Sequence, residues 1–187
     1  FSQPYEAESL CAALSAKFPD VPVAGCSTSG EITSDGFSER SVLVVAFPEQ
    51  GFHFVSSVIP EVKTLSVDRA SEAVQALRAR LDKPDGAHYD NLFAISLIDG
   101  LSRCEEAIVS AIAWALGDIP LVGGSAGDGL TLSGTSLVHD GRVYRGAALL
   151  LLVETEHPVR SFCCDHFEPT ETKLVVTSSD TSTSSVY

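Results

Sequence analysis

Asp20-Val-Pro-Val-Ala-Gly-Cys-Ser27 and Asp118-Ile-Pro-Leu-Val-Gly-Gly-Ser125 are two versions of one phrase. Each follows a segment of helical periodicity and runs into small residues, Ser27-Thr28-Ser29-Gly30 in the first and Ser125-Ala126-Gly127-Asp128 in the second. The register continues backwards without a gap, so that Phe1–Phe18 aligns with Asp99–Leu116. Self-similarity of this kind marks a repeated supersecondary unit. Two copies point to an internally duplicated strand–helix–strand domain rather than a solenoid. The glycines and serines fall where a strand ends, and backbone N–H groups there are free to meet a ligand. The duplication predicts that the two loops lie side by side at one end of a shared sheet.

Outward from the repeat, periodicity supplies the other elements. Leu10, Leu14 and Phe18 form one stripe of a helix over Glu6–Phe18. Val67, Ala70, Val74, Leu77 and Leu81 form a second, closed by Lys83-Pro84. A third carries Ile108, Ile112 and Leu116 and stops at Gly117. Its start reads as a capping box, Ser102-Arg103-Cys104-Glu105. Strands are expected at Val21–Cys26, Val42–Phe47, Phe52–Ile59, Leu92–Ile98, Pro120–Val122, Ser136–His139, Arg142–Tyr144, Ala147–Glu154, Val159–Cys164 and Lys173–Thr177. Asp140-Gly141 is a two-residue hairpin signal. The runs Val42–Phe47 and Ala147–Leu152 have no polar face and read as buried strands. Helix–strand alternation that gives way to antiparallel strands describes an α/β domain with a mixed sheet, its C-terminal part mainly antiparallel. The domain is expected over 1–177, with Ser/Thr-rich 178–187 as a linker. The repeat also places a strand upstream of Phe1, which is not an initiator residue, so the chain reads as a fragment.

Composition narrows the function. The 187 residues carry 25 acids against 12 bases, a net charge of −13, and no methionine. That balance disfavours nucleic acid and anionic membrane as partners, since both need a basic face. No apolar run approaches the roughly 18 residues of a membrane span. Five cysteines, an odd number without framework spacing, fit a reduced, cytoplasmic protein. The histidines are scattered and there is no Cys-x-x-Cys, so no metal site is expected. Gly123–Gly129 resembles a phosphate cradle but lacks the Lys-Ser/Thr ending of a P-loop.

Three chemistries remain. Cys26, at a strand end among backbone donors, suits a thiolate nucleophile of a hydrolase or transferase, yet no histidine is paired with it and the second copy has Gly124 there. The bland reading is a small buried residue. The loops Cys26-Ser27-Thr28-Ser29-Gly30-Glu31 and Gly124-Ser125-Ala126-Gly127-Asp128 suit a polar ligand, with Glu31 and Asp128 placed to meet an ammonium group. The alternative is two tight turns. His166, in His166-Phe167-Glu168-Pro169, is either a surface histidine or an axial haem ligand.

Gly25–Ile32, Asp99–Ser102, Gly123–Asp128 and His166–Thr170, in this order and spacing, resemble the N-terminal half of a FIST sensory domain over nearly the whole chain. The resemblance implies an intracellular bacterial input domain. It would sense a small molecule such as an amino-acid-like metabolite, or haem and through it nitric oxide. The partner would be a histidine kinase, a chemotaxis receptor or a cyclic-di-GMP enzyme, and a FIST C-terminal domain would follow.

Overall fold

The computed structural model describes residues 1–81, 89–129, 131, 134–162, 167–173, 175–180 and 185–186. Its centre is a four-stranded mixed sheet. β4 (Phe52–Pro60) and β5 (Asn91–Asp99) flank β9 (Ala147–Thr155), each antiparallel to it, and β6 (Leu121–Ala126) lies parallel to β5. β9 is central, so its apolar residues find cover on both faces. All are buried but Leu151, which is half-buried. Continuous hydrophobicity over Ala147–Leu152 thus marks a strand with no wet side.

Two helices cover one face of this sheet. α2 (Val67–Leu81) buries Ala70, Val74, Leu77 and Leu81, and α3 (Glu105–Leu116) buries Ile108, Ala111, Ile112 and Leu116. These residues pack on Val55, Ile59, Ala94, Ile98, Leu150 and Leu152. Ser66 starts α2, its hydroxyl accepting from the Arg69 amide at 3.3 Å. Gly117 ends α3 with φ of 65°, its amide donating to Ala113.

A second, smaller layer lies against the other face. α1 (Ala7–Lys17) leads to β1 (Ala24–Cys26), which pairs antiparallel with β7 (Leu137–His139) and through it neighbours β8 (Arg142–Tyr144). Asp140 and Gly141, with φ of 44° and 80°, form the expected hairpin turn. The turn also holds the incoming chain: the Val23 amide donates to Asp140 Oδ1 at 3.1 Å. Two short hairpins complete the fold, β2 (Glu31–Thr33) with β3 (Gly36–Ser38), and β10 (Ser179–Asp180) with β11 (Ser185–Val186). No described helix is long and apolar enough to cross a membrane.

The structure corrects several expectations. Val42–Phe47 is not a buried strand. The run is extended, lies outside every sheet and is largely exposed, with Val45 at 65%. None of its backbone groups is hydrogen-bonded among the described residues. Apolar character signals a strand only where a neighbouring strand exists to pair with, and none lies beside it among the described residues. Val159–Phe162 and the described residues of Lys173–Thr177 are likewise outside strands, with Phe162 and Val175 exposed. Cys163 and Cys164 lie outside the described residues. The capping box does not form: α3 begins at Glu105, two residues too late for Ser102 to cap it, and Ser102 is buried beside Asp99. The stripe on α1 is shifted as well. Ala7 and Cys11 are buried, while Leu10 and Leu14 are half-buried and Phe18 is exposed.

The two copies of the phrase are also used differently. β1 is an antiparallel strand of the small sheet, and β6 is a parallel strand of the large one. They share no sheet, and no repeated strand–helix–strand unit emerges.

Candidate functional site

The two loops nevertheless meet. The Gly127 amide donates to the Ser27 carbonyl at 3.0 Å, and the Gly129 amide donates to Ser29 Oγ at 3.2 Å. The approach is close enough that a Cβ at Gly127 would stand 2.6 Å from Ser29 Oγ and 3.0 Å from its backbone nitrogen. Ser27 is fixed twice to Ser136, the residue just before β7. Its amide donates to the Ser136 carbonyl at 2.8 Å, and its hydroxyl accepts from the Ser136 amide at 2.9 Å.

Three buried carboxylates organise this end of the molecule. Asp99, at the C-terminal end of β5, accepts from the Leu101 amide at 2.9 Å, the Gly146 amide at 2.6 Å and the Thr135 hydroxyl. Asp128 accepts from the Thr131 hydroxyl at 2.9 Å and the Gly134 amide at 3.0 Å. Glu31, only 4% exposed, accepts from the hydroxyls of Ser2 at 2.8 Å, Thr28 at 2.6 Å and Ser41, and the Phe1 nitrogen lies 3.3 Å away. Burial pushes the Glu31 carboxyl up. The hydroxyls of Ser41, Thr28 and Ser2 and the Phe1 nitrogen more than offset this, holding it at about 2. Glu31 therefore stands as a fixed anion that ties three separate segments together.

Two adjoining clefts open over the meeting point. The larger, about 580 Å³, is lined by Ser2, Gln3, Pro4, Thr28, Ser29, Glu39, Arg40, Asp128, Gly129 and Thr131. The smaller, about 390 Å³, shares Gln3, Pro4, Thr28 and Asp128 and adds Ser27, Gly127, Ser136 and Arg145 among others. Of the sequence candidates, Ser27, Thr28, Ser29, Gly127 and Asp128 are thus brought together. The others stand apart. Glu31 already holds donors of the protein itself and lies beneath the cleft rather than facing it. Gly30 sits under the Phe37 ring. Gly124 and Ser125 belong to β6 and are exposed along it, while Ala126 is buried against Leu137 and Leu149.

Cys26 packs against that same small core. Burial pushes its thiol up and the Glu31 carboxylate adds to this, against the lowering pull of the Phe1 nitrogen. That is the environment of an inert thiol rather than an activated one. Among the described residues no group of three His, Cys, Asp or Glu could hold a metal ion.

Haem requires an apolar slot and an axial side chain. The described residues lining the clefts are mainly hydroxyl, carboxylate, amide and glycine, with no histidine among them, and they do not fit it. His139 is engaged elsewhere, its Nε2 2.8 Å from Ser56 Oγ. His166 lies outside the described residues.

Ser2, Gln3, Glu39, Arg40 and Thr131 were not legible as site residues. The one signal was the polar turn Ser38-Glu39-Arg40-Ser41, set just before the apolar run Val42–Phe47.

A family model described as the FIST N domain matches residues 1–187, the whole chain. No curated protein and no solved structure matches it. Three of the four motifs that carry the resemblance, Gly25–Ile32, Asp99–Ser102 and Gly123–Asp128, meet at the clefts and their carboxylate supports, while the fourth, His166–Thr170, contributes no described residue to them. The chain belongs to the FIST N domain family, a family of sensory domains.

Proposed function

We propose that the chain is the non-catalytic input domain of a signalling protein. It takes a small polar molecule into the clefts above the Ser27–Gly30 and Gly127–Asp128 loops. The observation that carries this is the convergence of both clefts on the one place where these loops touch. The loops come from different layers of the fold. A ligand bridging Thr28 or Ser29 to Gly129 or Thr131 would favour one relative setting of the layers, and a partner protein can read such a population shift. A histidine kinase, chemotaxis receptor or cyclic-di-GMP enzyme in the cytoplasm fits that role. The half-buried, unactivated Cys26 argues against the hydrolase or transferase alternative. Alkylation at neutral pH should be slower at Cys26 than at a free thiol.

A metabolite screen read by backbone amide shifts tests the reading. Bound compounds should perturb Thr28, Ser29, Gly127 and Gly129. Gly127→Val, which forces the loops apart at Ser29, should lose this binding while keeping wild-type far-ultraviolet dichroism. Shifts that map to the exposed faces of α2 and α3 would overturn the proposal.

A further inference from the structure

Arg40 is the only cation among the described residues lining the larger cleft. Its backbone is unusual, with φ of 58°, the left-handed region that glycine and asparagine enter freely and arginine does not. It sits in a tight turn closed by the Ser38 and Ser41 hydroxyls, 2.9 Å apart, and anchored through Ser41 to Glu31. The guanidinium has no hydrogen bond or ion pair among the described residues. Arg69, Arg78 and Arg80 donate to backbone carbonyls and Arg145 pairs with Glu8 at 2.8 Å, whereas Arg103, Arg142 and Arg160, like Arg40, have no side-chain partner among the described residues; of these four only Arg40 lines a cleft. Arg40 is thus an uncommitted cation at the larger cleft, in a chain of net charge −13.

We propose that the larger cleft binds a small hydroxylated monocarboxylate whose carboxylate is gripped by Arg40. This rests on the ligand reading of the cleft given above and names the class of ligand. The planar guanidinium fork matches a carboxylate in two parallel hydrogen bonds. The hydroxyls of Ser2, Thr28, Ser29 and Thr131 offer donors and acceptors to the ligand's own hydroxyl groups. Glu39 and Asp128 line the same cleft, so an anion is held there only through its pairing with Arg40, and the repulsion from the two carboxylates is smaller for a monoanion than for a phosphate dianion.

Titration of the full chain with gluconate and lactate, with neutral glucitol and with inorganic phosphate, followed by backbone amide shifts, tests this. The two carboxylates should shift Thr28, Ser29 and Gly129. Arg40→Gly should weaken them by about tenfold or more, and Arg40→Lys by less. Arg40→Gly remains a fair probe because glycine adopts this φ without strain, so its melting temperature should not fall. The proposal is overturned if Arg40→Gly binds the carboxylates as wild type does. It is equally overturned if glucitol matches gluconate, if phosphate binds more tightly than either acid, or if neither acid shifts the cleft. Glucitol or another uncharged metabolite shifting the same amides would leave the ligand cleft standing and remove Arg40 from it. A screen in which no compound shifts those amides would remove both.

Discussion

Gly123→Ala should destabilise the domain by about 3 kcal/mol or more, and Gly124→Ala, one residue along the same strand, should leave it nearly unchanged. A Cβ at Gly123 would stand 1.9 Å from the backbone oxygen of Ser96 on β5, whereas one at Gly124 meets nothing within 4 Å. The obstacle at Gly123 is main chain in a central strand, so it cannot be turned aside like a side-chain end. Relief requires β6 to move away from β5, breaking the parallel ladder that runs from Ala94 with Leu121 to Asp99 with Ala126. Urea or thermal unfolding of the pair checks this. Equal midpoints for the two variants would show that the strands are not packed as described. Because β6 leads directly into Gly127 and Asp128, a milder form of the same displacement would also register as loss of cleft binding.

Glu31→Ala should cost about 3 kcal/mol. The substitution strips the acceptor from three hydroxyls belonging to Ser2, Thr28 and Ser41, and it releases the turn that carries Arg40. Glu31→Gln, which keeps one carbonyl oxygen, should lose less. The effect carries a pH signature. The Glu31 carboxyl is held at about 2 in the folded chain, below its ordinary 4.5. A depressed carboxyl contributes stability that is full above its unfolded value and is lost as the pH falls through its folded one. The stability difference between wild type and Glu31→Ala should therefore be constant above pH 4.5 and shrink steadily toward pH 2. Denaturant midpoints across that range measure it. A difference that does not change with pH would mean that Glu31 is not the anion holding these segments.

Elements whose neighbours were implicit in their own pattern were readable from sequence. α2 appears where Val67–Leu81 repeats its apolar positions, and Asp140-Gly141 closes the hairpin it signals, because each is a local matter of spacing or backbone preference. Val42–Phe47 failed for the opposite reason. Its composition is that of β9, yet β9 is flanked on both sides and Val42–Phe47 on neither, and a strand's partner is not written in the strand. The capping box failed by two residues: Ser102 is drawn to Asp99, whose acceptors also organise Leu101 and Gly146. For the site, Ser27 and Ser29 do meet Gly127 and Gly129, as the repeat predicted of its two loops, although the duplication itself does not appear in the fold. They meet through contact between two layers rather than along one sheet. The repeat could not reveal Ser2, Arg40 or Thr131, because no periodicity links them and only the folded path of the chain brings them to one opening.

An uncharged extended run with unsatisfied backbone groups is also a template for growth. Val42–Phe47 contains no lysine, glutamate or proline to discourage an incoming strand, and Phe47 leans on Phe52 and Phe54 to extend the adhesive surface. Mutual repulsion at a net charge of −13 opposes such growth. Colloidal behaviour should follow: light scattering from the isolated chain grows with concentration, and it grows faster in high salt, where that repulsion is screened. A charged residue placed at Val44, such as Val44→Lys, should restore clear solutions at the same salt.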